Sequence, residues 1–237
     1  MGRVLALQHV WENPKGYVGE LLHEYGIEYD VVNVETDALP DPTAYAAVIA
    51  FGGSQHVYAD DQYPYFTQER ALIRTVVEQD IPFLGICLGC QLLADVMGGE
   101  VRKHTMTEIG FFDVELTEVG KQDPLYAGLP GYQKIYHWHE DTFTLPPGAI
   151  LLATSENTEN QAFRLGRRAY GVQYHIELDP ETLQIWLYHP EFKQNIIETL
   201  GEDEYAVLIE QESFHYPMYR NHTRIVLENF LRISEVL

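Results

Sequence analysis

The sequence predicts an α/β fold: a single domain on a parallel-dominated mixed sheet with helices on both faces. Two observations carry this expectation. The first half alternates short apolar runs with amphipathic helical stretches, the pattern of a parallel sheet covered on both sides. The middle then changes to closely spaced strand-like runs separated by turn residues such as LPPG, which adds mixed or antiparallel strands. No repeat, low-complexity tract or linker interrupts the chain, so one domain over 1–237 is expected, with a C-terminal helical segment from about 179 packing on it.

The elements follow in order. RVLALQHV reads as a strand. KGYVGELLHEYG reads as a helix ending at Gly26, because Val18, Leu21, Leu22 and Tyr25 recur at helical spacing. YDVVNV is a second strand, and AAVIAFGG a third that ends in a glycine pair. YFTQERALIRTVVEQ is a helix with Phe66, Leu72, Ile73, Val76 and Val77 on its apolar side. IPFLGIC is a fourth strand, and LGCQLLADVMGG a helix stopped by glycines. GFFDVELT, KIYHWHEDTF, AILLATS, QAFRLG and RAYGVQYHI are the strand-like runs of the middle. DPETLQIWL opens a helix with Asp179 as N-cap and Pro180 in the first helical position, and the rest reads as helical to TRIVLENFLRI.

Bulk properties narrow the function. A formal charge of −21, from 36 acidic and 15 basic residues, argues against a nucleic-acid partner, whose phosphates need Lys and Arg. The excess concentrates between Glu177 and Glu212, with ten acids against the single base Lys193. Such a stretch serves as a solvated face or as a docking face for a basic partner. No apolar run is long enough to span a bilayer, and the N-terminus reads as a strand rather than a signal peptide, so no membrane partner is expected. Two cysteines make no disulfide framework for a chain this long, and a cytoplasmic location is expected.

Those two cysteines, Cys87 and Cys90, lie in PFLGICLGCQLLADVMGG. Gly85-Ile86-Cys87-Leu88-Gly89 sits where an apolar strand gives way to a helix, the arrangement of a nucleophile elbow. A sharp turn there lifts the nucleophile clear of the C-terminal edge of the sheet. The helix that follows presents free N–H groups and roughly half a positive charge, and a thiol so placed favours the thiolate, its attacking form. Further on, GVQYHIELDP offers His175 and Glu177, two apart on an extended segment and so on one side of it. Histidine exchanges protons near neutral pH, and a carboxylate on its far nitrogen fixes the tautomer. Cys87, His175 and Glu177 therefore make a candidate triad. Gly52-Gly53, directly after the third strand, offers backbone donors: the N–H of Gly53 and that of Leu88 would pair as an oxyanion hole. Each piece alone is commonplace; their order along the chain gives them weight.

With these residues in place the chain resembles the class I, triad-type glutamine amidotransferases, most closely free-standing proteins similar to the amidotransferase domain of GMP synthase. The resemblance lies in GGSQHVYADDQYP (52–64), LGICLGCQLLA (84–94), YHWHEDTFTLPPGA (136–149) and QAFRLGRRAYGVQYHIELDPETL (161–183). It implies a flavodoxin-like sheet and a γ-glutamyl thioester on Cys87, formed with loss of ammonia or an amine and released by water. His175 would be base and acid, Glu177 its orienter, and Gly53 and Leu88 the oxyanion donors. Gln91 would hold the amino-acid end of the substrate, and His139 lies in the loop that borders the pocket in that family. Three positions depart from the family pattern: Cys90 where His is frequent, Ile176 where Pro is common, and Ser54 where Pro commonly follows the glycine pair.

Other readings of these residues explain less. A thioredoxin-type pair of Cys87 and Cys90 leaves His175, Glu177 and the glycine turn unexplained, although a disulfide between them under oxidation would silence the thiolate. HxH in YHWHED could start a zinc or iron site, but the third ligand would have to come from far away in the chain, and no metal is expected. Neither phosphate-binding glycine motif is present, so no nucleotide or other cofactor is expected. The substrate is then glutamine or another γ-glutamyl compound. The chain either feeds ammonia to a separate synthetase subunit or acts alone as a γ-glutamyl peptide hydrolase or transferase, and a stand-alone chain favours the second. A non-catalytic binding or regulatory protein on the same fold is the alternative from another class, and the intact triad counts against it.

Overall fold

In the computed structural model, which describes residues 2–13 and 15–237, the strands are β1 (Val4–Gln8), β2 (Tyr29–Asn33), β3 (Ala47–Ala50), β4 (Phe83–Ile86), β5 (Val101–Leu116), β6 (Tyr132–Phe143), β7 (Ile150–Thr154), β8 (Ala162–Leu165) and β9 (Ala169–Val172). They form one sheet in the order β2-β1-β3-β4-β9-β8-β7-β5-β6. From β2 to β9 every pairing is parallel; from β9 to β6 every pairing is antiparallel. The expected α/β architecture is present, and the antiparallel extension is as broad as the parallel half.

The inner parallel strands are short and buried on both faces, which is why they read as continuous apolar runs rather than alternations, whereas β2, at the sheet edge, is half-exposed. Helix α1 (Gly16–Glu24) joins β1 to β2, α2 (Phe66–Glu78) joins β3 to β4, and α3 (Leu88–Val96) follows β4. One core contains Val18, Leu21, Ile49 and Ile86 together with Phe230 and Leu231 of the last helix. The other, on the opposite face, gathers Leu5, Val48, Phe66, Ile73, Phe83 and Leu93. Gly26 closes the first helix at φ +63, a conformation that favours glycine.

Helices α4 (Pro180–Tyr188), α5 (Pro190–Leu200) and α6 (Glu202–Ile233) complete the chain. Asp179 caps α4 by accepting from the Thr182 N–H, as the sequence predicts. Two strand readings change. β5 begins at Val101, earlier than the expected start at Gly110, because its first half, VRKHTMTEI, is largely exposed and lacks apolar alternation. β9 ends at Val172 and does not run on to Ile176; beyond it, His175 makes one isolated antiparallel bridge to Tyr136 of β6. That bridge brings β6, the last strand of the antiparallel half, back over the C-terminal ends of β4 and β9. Among the described residues no helix is long and apolar enough to cross a membrane.

Candidate active site

Cys87 stands between β4 and α3 with φ +49 and ψ −105. A side-chain-bearing residue at positive φ is strained, and such strain gathers at functional turns. Glycine on either side makes the turn possible. A Cβ on Gly85 would lie 2.4 Å from the Gly89 carbonyl oxygen, and one on Gly89 would lie 2.3 Å from that of Ala50. The Cys87 N–H donates to the Val172 carbonyl, tying the elbow to the end of β9 (2.8 Å).

His175 Nδ1 lies 2.7 Å from Glu177 Oε1, and both side chains are buried. The pair is not held by strand alternation as expected. The chain leaves the sheet after Val172, and Glu177 Oε2 accepts the Ile176 N–H (2.8 Å), a buried donor that no neighbouring strand pairs. Three elements fix this segment. The His175 N–H donates to the Tyr136 carbonyl, the Tyr17 N–H at the start of α1 donates to the Glu177 carbonyl, and the Leu178 N–H donates to the Tyr219 hydroxyl on α6. The Trp186 and His175 rings stand perpendicular to each other with centroids 4.7 Å apart.

Burial disfavours a charged imidazole, but Glu177 and then Cys87 outweigh it and raise the His175 pKa to about 10. Burial likewise opposes charge on Glu177, and His175 outweighs it, holding the carboxyl below its usual range. His175 Nε2 makes no hydrogen bond of ordinary geometry among the described residues. Its ring and Cys87 nevertheless close on one point: a Cβ built on Gly52 would lie 3.0 Å from His175 Cε1 and 3.4 Å from Cys87 Cβ.

Gly53 and Leu88 are neighbours, since a Cβ on Gly53 would lie 2.9 Å from Leu88 Cδ2. Neither backbone N–H has an acceptor among the described residues. Gln91, on α3, donates through Nε2 to Gln173 Oε1 (3.1 Å), and Gln173 in turn directs its Nε2 to the Cys87 sulfur (3.6 Å). His139 lies on β6 rather than in a loop. It borders the cavity while its ring nitrogens face Glu108 Oε2 (3.0 Å) and the Asp141 carbonyl (3.1 Å).

Cys87, Gly53, Gln91, His139 and His175 line one cavity of about 320 Å³. Cys87, Gly53, Gln91 and His175 form its floor, Trp138 and His139 of β6 one wall, and Phe192, Asn195 and Thr199 of α5 another. Sequence reasoning missed Asn13, Gln173 and Trp138. Gln173 precedes His175 by two, a spacing that could have flagged it. Asn13 is buried at the cavity, where a Cβ on Gly52 would lie 2.7 Å from its Nδ2, and nothing in its surroundings in the sequence marks it.

Cys90 is fully buried beneath β9, where a Cβ on Gly171 would lie 2.8 Å from its sulfur. Burial, and then Cys87, push its thiol well above the usual range. Both cysteines are free and they belong to different cores.

Residues 17–193 match the glutamine amidotransferase class I family model. The chain belongs to that family. It is 28% identical over 209 residues to the glutamine amidotransferase-like protein YfeJ of Salmonella typhimurium, covering 87% of this chain and 83% of that one. It is 34% identical over 186 residues to the glutamine-hydrolyzing GMP synthase of Thermosipho melanesiensis; this covers 78% of this chain but only 31% of the synthase. A glutamine amidotransferase from Thermotoga maritima superposes with a TM-score of 0.86 at 31% identity, covering 98% of both chains.

Proposed function

We propose that this amidotransferase-family protein hydrolyses a γ-glutamyl amide through a thioester on Cys87. The observation that carries the reading is the meeting at one cavity of a strained cysteine and a carboxylate-paired histidine, beside two backbone N–H groups that have no acceptor among the described residues. In this reading the Cys87 thiolate attacks the side-chain carbonyl carbon. The N–H groups of Gly53 and Leu88 take the developing oxyanion, each such donor contributing about 2.7–4 kcal/mol. The charged His175 gives its Nε2 proton to the departing nitrogen, so ammonia or an amine leaves and the thioester remains. A water then loses a proton to His175 and attacks the thioester, which releases glutamate and restores the thiolate beside the charged His175. Glu177 keeps the Nδ1 proton in place and stabilises the imidazolium.

Residues 1–237 act as one unit in this account, because α5 from the C-terminal segment walls the cavity. The cytoplasm suits a mechanism that needs a reduced thiol. Phe192, Asn195 and Thr199 of α5 line the same cavity as Cys87, and its volume of about 320 Å³ supports a γ-substituent larger than ammonia. The likeness to GMP synthase supports the other version, an ammonia donor working with a synthetase partner. The test is a screen of purified protein against glutamine and a panel of γ-glutamyl compounds, with glutamate as readout. Turnover that Cys87→Ser and His175→Ala each reduce by orders of magnitude supports the proposal; turnover retained in either folded variant overturns it.

A further inference from the structure

Three side chains that the proposed chemistry leaves unused meet behind the β6 wall of the cavity. Glu108 of β5 pairs directly across the sheet with His139 of β6, and His137 is two residues along the same strand. Cross-strand partners and residues two apart share one face of a sheet, so all three side chains project together. The HxH spacing supplied two donors in the sequence; the third, 29 residues earlier, becomes a neighbour only through the β5–β6 register.

The donor atoms form a small triangle. His139 Nε2 lies 3.0 Å from Glu108 Oε2, His137 Nδ1 lies 3.4 Å from His139 Nε2, and His137 Nδ1 lies 3.8 Å from Glu108 Oε2. Two ligands at about 2.0–2.1 Å from a tetrahedral zinc ion stand about 3.3–3.4 Å apart, the middle of that range. All three residues are buried. The supporting contacts suit ligands. His139 Nδ1 faces the Asp141 carbonyl (3.1 Å), which fixes its proton there and leaves Nε2 as a lone pair. Glu108 Oε2 accepts from Thr158 Oγ1 (2.7 Å) and Gln161 Nε2 (3.4 Å). The His139 lone pair therefore looks straight at a carboxylate oxygen, and a cation belongs between them. One metal ion at the centre of the triangle answers all three of these contacts. Glu108 Oε1 and His137 Nε2, both buried, have no partner among the described residues.

We propose that Glu108, His137 and His139 bind one divalent ion of zinc type, which clasps β5 to β6. Three protein donors leave a fourth position for water. The ion would enter from the cavity, which Thr107 and His139 line. It would brace Trp138, which lies between the two histidines, directs its carbonyl toward the Cys87 sulfur (3.8 Å), and packs its ring against Trp186.

The test uses the full chain carrying Cys87→Ser, so that no thiolate competes for metal. After chelation and dialysis, zinc is added alone and bound metal is measured by elemental mass spectrometry. One equivalent per chain is expected, with a rise in melting temperature of about 5–10 °C at a zinc concentration near 100 times Kd. His137→Gln and Glu108→Gln should each abolish both. Glu108→Gln keeps the size and accepting oxygen that Thr158 uses, so it reports even where His137→Gln does not fold. Cobalt(II) in the same protein should give visible bands of tetrahedral coordination. Absence of zinc binding overturns the proposal in favour of a plain Glu108–His139 ion pair. Binding that persists in both variants overturns it by placing the metal elsewhere.

Discussion

Gly52 separates the proposed nucleophile from its proton carrier, and Gly52→Ala tests that separation with one carbon. The backbone there is not at positive φ, so alanine meets no conformational penalty. The new methyl would meet Asn13 Nδ2 at 2.7 Å, His175 Cε1 at 3.0 Å and Cys87 Cβ at 3.4 Å. Carbon atoms rest about 3.5–4.0 Å apart, so the imidazole must retreat by roughly 0.5–1 Å. It has little room, with the Trp186 ring perpendicular to it at a centroid distance of 4.7 Å and Glu177 bonded to Nδ1 at 2.7 Å. A misplacement near 1 Å costs about 100-fold in rate, or about 2.7 kcal/mol in the barrier. Overpacking costs about 1–3 kcal/mol of stability. Glutamate release from the best γ-glutamyl substrate should therefore show kcat/KM down about 100-fold, alongside a folded melting transition. Wild-type kcat/KM in Gly52→Ala would refute the argument, since sulfur and imidazole could not then be working across that gap.

Further outcomes follow from other contacts. Glu177→Gln should lower kcat by roughly 10⁴-fold, because an amide neither fixes the tautomer nor stabilises the imidazolium. The same pair sets a pH window. The contribution of His175, whose pKa is raised to about 10, is complete below the usual histidine range and is lost as pH rises through about 10. That of Glu177, whose pKa is depressed, is present above the usual carboxylate range and is lost as pH falls below it. Melting temperature against pH should fall off on both sides in the wild type and be flatter in Glu177→Gln; equal slopes would contradict the pairing. Cys90→Ala should keep kcat/KM within about twofold and cost roughly 1 kcal/mol for a small buried side chain; loss of turnover by orders of magnitude would assign Cys90 a part in the chemistry. Asn229 donates through Nδ2 to the Leu125 and Ala127 carbonyls beneath α6. Asn229→Ala strands these acceptors and should cost about 1–3 kcal/mol in denaturant unfolding with kcat/KM unchanged; an unchanged midpoint would contradict that role.

The parallel half was legible because its strands are short apolar runs flanked by glycines, and the elbow because Gly85, Cys87 and Gly89 occupy a strand-to-helix junction. His175 and Glu177 were legible as a pair but not in their setting. Alternation put them on a strand, whereas they sit past its end, held by α1, β6 and α6. Gln173 and Asn13 escaped notice because their placement depends on where β9 stops and how the segment after β1 folds over the sheet. Glu108 escaped for a sharper reason. β5 and β6 shift register between Lys103 and Glu108, and no local pattern reveals which residue then faces His139. Long-range register is what periodicity does not encode.

Covalent trapping shows whether Cys87 is the nucleophile and whether His175 activates it. The protein is treated with an electrophilic glutamine analogue across a range of pH, and the modified peptide is mapped by mass spectrometry. One adduct is expected, on Cys87, prevented by excess substrate and slowed in His175→Ala, with Cys90 untouched. A folded protein that gives no adduct, or one on Cys90 at the same rate with and without His175, would contradict these roles.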